Sequence, residues 1–217
     1  PASGSKGMVS SAHPLATAAG IDILKKGGNA FDAAVAVAAA LNVVEPAMSG
    51  MGGYGTILIY SAADHQVRFL NSSGRIPVKL DPDFFRAPTP DFLENREGGA
   101  AISTPGNVAA WEAMSKKYGR LPWKTLFEPA LRLAGEGHIL NSSMAHTLES
   151  AYETFPQAAK AVFGLNSVPL KENDSLVQRD LANSLKLVAE QGADAFYRGP
   201  IGRAIVEELA GAGWAVA

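Results

Sequence analysis

Apolar residues recur at helical spacing over two adjacent stretches near the start of the chain. Pro14 suits the first turn of a helix that the pair Gly27-Gly28 ends. Asn29 then begins the next helix as a side-chain cap, and the acid Asp32 follows three residues on, beside the positive helix terminus. The apolar stripe predicted for this second helix consists of Phe31, Ala34, Val35, Ala38 and Leu41. The many alanines imply close packing of this region.

The pattern changes from helical to alternating after the second helix. Glycines between Gly50 and Gly55 allow tight turns, and residues 56–60 and 66–70 predict a β-hairpin. The same glycines satisfy G-x-G-x-x-G, but a dinucleotide site needs that turn to follow a strand and to open a helix. Here it follows a helix and enters a strand. We therefore interpret it as a tight helix-to-strand passage and not as a nucleotide site.

The rest of the chain divides into an irregular stretch and a helical half. Residues 74–105 are rich in proline and show neither period, which indicates an irregular excursion over the surface. Helices are then predicted over residues 108–118, 122–134, 142–155, 174–190 and 193–210. The expected fold class is α+β, mostly helical with a short hairpin. Residues 1–217 are expected to form one domain, with a weak break over 163–169.

Composition excludes several classes of partner and site. The net charge is −2, with 19 basic against 21 acidic residues and no basic cluster, so neither nucleic acid nor a membrane is an expected partner. The longest nearly apolar stretch, residues 30–44, is too short to cross a bilayer. The chain has no cysteine, which excludes disulfides and thiolate metal sites. No signal peptide is visible at Pro1, which favours a cytoplasmic location, although a chain without an initiator Met leaves secretion open.

The polar residues suggest no catalytic set by themselves. The four histidines lack any metal-binding spacing, so no metal site is predicted and no cofactor is implied. No G-x-S-x-G nucleophile turn occurs, and His13 is interpreted as structural, with a role in capping a helix. The acidic residues form no recognisable pair with separate environments.

Several short motifs occur in an order that is specific when they are taken together. They are the run over residues 7–60, Ser103-Thr104-Pro105-Gly106, and residues 117–123, 128–134 and 194–199. In this order and spacing they resemble the γ-glutamyltranspeptidase family, whose members are N-terminal nucleophile hydrolases. The resemblance covers nearly the whole chain. It implies that the chain is the N-terminal part of the large subunit, within a fold of the αββα type.

The resemblance also implies a chemistry. In that family a precursor cleaves itself just before a threonine, and the new terminal amine serves as the base when the threonine attacks an amide. Only the front of the large subunit is matched here, so the expected partners are a small subunit from the same precursor, carrying the threonine, and a small-molecule amide substrate. The threonines of this chain lie inside predicted elements or turns. The chain is therefore expected to be inactive alone, and no catalytic residue is assigned to it.

One departure from the family bears on the substrate. Transpeptidases of the family carry a pattern resembling Asp-x-Arg-Glu-x-x-Pro after the second strand, and its arginine clamps the α-carboxylate of the γ-glutamyl group. The aligned stretch here is residues 71–77, with the sequence NSSGRIP. Ser73 takes the arginine position, and Arg75 lies two residues further on. Glutathione is therefore not the expected substrate.

Three interpretations of this stretch stay open. Arg75 swings in to bind a differently placed acid, or Ser72 and Ser73 line a pocket for another acyl group, as in relatives that resemble amidohydrolases or cephalosporin acylases. In the third, residues 71–74 are only a turn that opens a loop. The predicted substrate-binding residues are Ser72, Ser73 and Arg75, in an amide hydrolase or acyltransferase. The alternative from another class is a scaffold with the same fold and no nucleophile, and a threonine-led strand downstream decides between the two.

Overall fold

The structure is a computed structural model that describes residues 3–75, 83 and 102–211. Helices account for most of the described residues, and the strands form short antiparallel pairs. In chain order the elements are α1 (Pro14–Lys25), α2 (Ala30–Val44), β1 (Thr56–Ser61), β2 (Gln66–Asn71), α3 (Asn107–Tyr118), α4 (Glu128–Glu136), β3 (His138–Ile139), α5 (Ser142–Ala151), α6 (Gln157–Phe163), β4 (Gly164–Leu165), β5 (Val168–Pro169), β6 (Ser175–Leu176), α7 (Arg179–Gln191), α8 (Asp194–Tyr197) and α9 (Pro200–Gly211). Short 3-10 turns cover Trp123–Phe127 and Tyr152–Thr154.

Two compact units make up the chain. Unit 1 consists of Pro1–Gly50 and Ala113–Glu190, and unit 2 consists of Met51–Glu112 and Gln191–Ala217. The division falls inside α3, so that its first residues belong to unit 2 and its remainder to unit 1. None of the helices that the structure describes has both the length and the apolar character needed to span a bilayer.

The starts of α1 and α2 in unit 1 follow the local signals of the sequence. His13 caps α1, because its Nδ1 accepts a hydrogen bond of 3.1 Å from the backbone N–H of Leu15. Asn29 caps α2 through its side-chain oxygen, and the Asp32 carboxylate accepts the N–H of Asn29 in return. This reciprocal pair satisfies backbone donors that the first turn of a helix leaves unbonded. The predicted capping roles of His13 and Asn29 are confirmed.

The buried face of α2 differs from the predicted stripe. Val35 is fully buried as expected, but Ala34 is exposed, and Phe31, Ala38 and Leu41 are only half-buried. The residues that are buried instead are Asp32, Ala33, Ala36, Ala39, Ala40, Asn42, Val43 and Val44. This face packs against α1, α4 and the 3-10 turn at Trp123–Phe127. Because α2 is apolar on nearly every side, hydrophobic periodicity could not select the side that faces the core.

Asp32 is the most buried charged residue among the described residues of unit 1, with 0 % of its surface exposed. Its carboxylate accepts the N–H of Asn29 at 3.0 Å and the N–H groups of Arg120 and Leu121 at 3.0–3.3 Å. Asn29 strengthens the same connection, because its side-chain amide donates to the carbonyl oxygen of Tyr118 at 2.6 Å. Asp32 therefore joins the first turn of α2 to the turn that follows α3.

A smaller apolar cluster occupies the second part of unit 1. Leu140, Met144, Leu148 and Leu176 are buried in it, and Phe155 and Phe163 pack against it. The short pair β3–β6 brings this cluster together, with Ile139 opposite Ser175 and His138 opposite Leu176.

The predicted helix over 174–190 is wrong in its first part. Leu140 and Asp174 are joined by a backbone hydrogen bond, and Ser175 and Leu176 form a strand, so the helix begins only at Arg179. A two-residue strand has too short a pattern to be read from periodicity. The weak break expected over 163–169 is instead the tight hairpin β4–β5, whose turn holds Asn166 and Ser167 at positive φ.

Unit 2 contains the predicted β-hairpin. Strands β1 and β2 are antiparallel from Thr56 opposite Asn71 to Ser61 opposite Gln66, which confirms this element. The helix predicted over 193–210 is divided into α8 and α9, because the N–H groups of Arg198 and Gly199 both donate to the carbonyl oxygen of Asp194 and end α8. Most of the irregular stretch predicted over 74–105 lies outside the described residues.

Replacing Asp32 by alanine is expected to destabilise the fold by about 3 kcal/mol or more, because it removes a fully buried carboxylate and leaves the backbone N–H groups of Asn29, Arg120 and Leu121 without their acceptor. The free energy of unfolding from urea denaturation measures this effect. Asp22→Ala is the matched control, since Asp22 is half-exposed and forms a surface ion pair with Lys26 at 3.0 Å. In Asp22→Ala the free energy of unfolding should fall by less than about 1 kcal/mol. Equal losses for the two variants would contradict the role given to Asp32.

Candidate functional site

The three predicted substrate-binding residues follow directly after β2 in unit 2. Ser72 is 6 % exposed, whereas Ser73 and Arg75 are exposed. The backbone N–H of Ser73 donates to the Asn71 side-chain oxygen at 2.9 Å, which turns the chain out of the strand. Ser72 therefore lies on the inner side of this turn, and Ser73 and Arg75 lie on the solvent side.

Ser72 is bonded to the backbone at Gly55. Its hydroxyl accepts the N–H of Gly55 at 2.8 Å and lies 2.9 Å from the Gly55 carbonyl oxygen, to which it can donate. The backbone N–H of Ser72 donates to the same carbonyl oxygen at 3.0 Å. The Asn107 side-chain oxygen lies 3.4 Å from the hydroxyl. The hydroxyl and the backbone N–H of Ser72 thus both bond to the protein itself. These bonds to Gly55 extend the β1–β2 pairing by one residue.

The first turn of α3 meets the same region. The N–H groups of Gly106 and Asn107 both donate to the carbonyl oxygen of Gly53, at 3.0 and 3.2 Å. The N–H of Ala109 donates to the Tyr197 hydroxyl at 3.0 Å. Burial raises the pKa of this hydroxyl, and the hydrogen bond from Ala109 opposes the rise. These bonds occupy backbone donors that would otherwise attract an anion to a helix N-terminus.

Two glycines allow the backbone segments to cross in close contact. A Cβ atom on Gly74 would lie 1.8 Å from the carbonyl oxygen of Thr104, and one on Gly106 would lie 1.8 Å from the carbonyl oxygen of Ser72. No real side chain fits at such distances. Thr104 closes the contact by donating its hydroxyl to the carbonyl oxygen of Arg75 at 3.0 Å.

We call this region the three-segment junction, formed by residues 53–55, 72–75 and 104–107. It fixes the backbone that carries Ser73 and Arg75, while it leaves their side chains at the surface. The chemistry available here is recognition by a hydroxyl and a guanidinium group. Within residues 3–75, 83 and 102–211 no group of three metal-ligating side chains occurs.

The passage from Gly50 to Gly55 leads from α2 into β1, as the sequence predicted. Because the glycine-rich turn opens no helix, the geometry that a dinucleotide site requires is missing. The carbonyl and N–H groups of Gly53 and Gly55 are instead used within the junction.

Sequence reasoning missed the part that Thr104, Gly106 and Asn107 play in the junction. The available signal was the string Ser103-Thr104-Pro105-Gly106, in which a proline-glycine pair precedes a helix. That signal predicts a turn but does not indicate that the turn contacts residues 72–75, about 30 positions earlier in the chain.

Comparison with known proteins supplies the family. The sequence pattern of the gamma-glutamyltranspeptidase family matches residues 16–216. A "Glutathione hydrolase proenzyme" of Bacillus subtilis (strain 168) is 40% identical over 210 residues, which are 95% of this chain and 36% of the relative. An "Acylase ACY 1 proenzyme" of Pseudomonas sp. (strain SE83) is 36% identical over 223 residues, which are 98% of this chain and 40% of the relative.

A solved structure agrees with these relatives. The crystal structure of Helicobacter pylori gamma-glutamyltranspeptidase superposes with a TM-score of 0.93 at 33% identity, and it is matched over 100% of this chain and 63% of its own. The chain thus spans less than half the length of these two curated relatives. The likeness confirms the expected fold class, an α+β segment of an N-terminal nucleophile hydrolase fold. The family's sequence pattern covers residues 16–216, and the chain belongs to the gamma-glutamyltranspeptidase family.

Proposed function

We propose that this chain is the front part of the large subunit of a self-processing amide hydrolase or acyltransferase. The observation that supports this most strongly is the match of the entire chain to a solved gamma-glutamyltranspeptidase. Both curated relatives named above are proenzymes, which agrees with a precursor that is cleaved into two subunits. In such an enzyme a threonine at a new N-terminus attacks the amide, and its own amine accepts the proton.

The nucleophile is supplied by the other subunit in this proposal. Two of the described threonines serve the internal structure: Thr17, in the first turn of α1, shares a hydrogen bond of 2.8 Å with Ser11, and Thr104 donates its hydroxyl to the carbonyl oxygen of Arg75 in the junction. Neither has a free amine beside its hydroxyl. This chain therefore contributes to substrate binding and to the framework, and no catalytic residue is assigned to it.

The preferred substrate in this proposal is a small amide other than glutathione. Ser73 stands where the family's clamp has an arginine, and a serine hydroxyl cannot form the two parallel bonds by which a guanidinium group holds a carboxylate. Gly74 cannot carry a glutamate there without meeting the carbonyl oxygen of Thr104. Ser73 and Arg75 are exposed and contact the acyl group in this proposal, whereas Ser72 forms the wall behind them through its bonds to Gly55.

The exposed face of the hairpin is the surface that we assign to the partner subunit. Leu58, Tyr60, Val67 and Phe69 are 58–74 % exposed, and the strand register pairs Leu58 with Phe69 and Tyr60 with Val67 on one side. An apolar face of this kind on a two-stranded sheet needs a cover to be stable in water. A threonine-led subunit from the same precursor is the occupant that fits this proposal.

Expression of the full-length precursor tests the proposed function. Intact mass analysis should find two fragments, the smaller one beginning with threonine, and the processed protein should cleave a glutaryl anilide faster than a γ-glutamyl anilide. The reason is that a glutaryl group keeps the terminal carboxylate of a γ-glutamyl group but lacks its α-amino group, so it offers Arg75 an acid without an ammonium group beside it. A single uncleaved and inactive chain would instead favour the scaffold. Cleavage with a preference for the γ-glutamyl anilide would overturn the substrate assignment alone.

Introducing arginine at position 73 should shift the substrate preference of the processed enzyme. Ser73→Arg is expected to raise kcat/KM for the γ-glutamyl anilide, relative to a butyryl anilide, by about tenfold or more, because a butyryl group has no carboxylate for the arginine and a bidentate contact contributes on the order of 1–3 kcal/mol. Ser143→Arg is the control, since it adds the same charge at an exposed position of α5. An unchanged ratio in Ser73→Arg would show that position 73 does not contact the acyl group.

A charge on the hairpin face should weaken assembly. Leu58→Lys and Phe69→Lys are each expected to lower the fraction of precursor that cleaves itself, or the co-elution of the two fragments in gel filtration. Burial of such side chains contributes roughly 1.5–3 kcal/mol each, and a lysine there would lose it. Leu165→Lys is the control, because Leu165 is 68 % exposed in β4 and belongs to unit 1, whereas the hairpin belongs to unit 2. If all three variants process and co-elute normally, the hairpin face is not the interface.

A further inference from the structure

Two buried histidines meet in unit 1. His13 lies just before α1 and His138 lies in β3, and each is 6 % exposed. Their ring centroids are 6.4 Å apart, with an angle of 78° between the ring planes. The rings thus make an edge contact between residues that are 125 positions apart in the chain, and neither residue belongs to the three-segment junction.

The hydrogen bonds of the two rings favour the neutral form. His13 uses Nδ1 to accept the N–H of Leu15, so this nitrogen carries no proton when the cap is formed. Neither ring nitrogen of His138 has a hydrogen-bond partner among the described residues, although both are buried. Burial without a hydrogen-bond partner costs a neutral imidazole less free energy than it costs a charged one.

Protonation would disturb both residues. A proton on Nδ1 of His13 would remove the acceptor that caps α1, and a charge on His138 would stand unsolvated beside a second imidazole. Two nearby groups favour the charged forms: the Glu45 carboxylate acts on His13, and the carbonyl oxygen of Leu133 acts on His138. Neither compensates for burial, which lowers the pKa of both histidines, and the His13 ring lowers the pKa of His138 further.

We propose that His13 and His138 form an acid-sensitive pair that keeps the start of α1 joined to β3 at neutral pH and weakens unit 1 on mild acidification. Within the described residues, no other charged or titratable group acts on these rings. The inference rests on burial, on unbonded ring nitrogens and on the capping bond, and it does not depend on the proposed function.

The direction of the pH dependence follows from proton binding. An unfolded histidine has a pKa of about 6.5, whereas the folded pKa of both residues is lower. The unfolded chain therefore binds more protons between these values, so stability is full above about pH 6.5 and falls as the pH decreases below it. Each histidine can change the folding constant by up to about tenfold per pH unit in that window.

Thermal unfolding of the full-length protein at about pH 7.5 and about pH 5 tests the pair. The wild type should lose more in Tm between these values than His138→Gln, because glutamine cannot take up a proton. His146→Gln is the matched control, since His146 is an exposed histidine on α5, and it should lose as much as the wild type. The carboxylates are the same in all three proteins. The difference between the variants in the change of Tm therefore reports the histidine pair alone.

If His138→Gln does not fold, a second variant can still test the proposal. His13→Asn retains a side-chain oxygen that can cap α1 but removes one of the two titrating rings. It should also reduce the loss in Tm on acidification. A loss in Tm that is the same in the wild type and in whichever of these variants folds would overturn the proposal.

Discussion

The fully buried carboxylate of Asp32 is the interaction on which the organisation of unit 1 depends. A buried charge is tolerated only when donors surround it, and here the donors are backbone N–H groups of Asn29, Arg120 and Leu121. The positive end of α2 adds to their effect. Because two of these donors lie 88 and 89 residues away, one side chain both begins a helix and fixes a distant turn against it. The same helix α2 also packs against α1 and α4.

The sequence predicted the elements whose causes are local. The cap at Asn29, the proline at the start of α1 and the β1–β2 hairpin all depend on residues within one turn, and all were found. The buried face of α2 could not be predicted, because alanine and valine surround the helix and the choice of face belongs to its neighbours. The two-residue strands β3 and β6 were missed for a related reason, since a strand that short is defined only by its partner.

The candidate site shows the same division between local and distant causes. The position of Ser73 and Arg75 after the second strand follows from the hairpin, so it could be inferred from the sequence. The close crossing at Gly74 and Gly106 could not, because each glycine by itself resembles an ordinary turn residue. This crossing nevertheless decides which side chains position 74 can carry. The family match identifies the relatives, and the crossing gives a physical reason for a glycine at position 74.

Asp32 and His138 represent opposite solutions to the burial of a titratable group. Several backbone donors replace the water that the Asp32 carboxylate has lost, and these bonds help to hold the fold. The ring nitrogens of His138 are buried without a hydrogen-bond partner among the described residues, and this burial favours the neutral imidazole. Unit 1 therefore combines a carboxylate that several donors hold with an imidazole whose burial favours the neutral form. Mild acidification acts on this imidazole, because an unfolded histidine takes up a proton below about pH 6.5 and the folded one resists it.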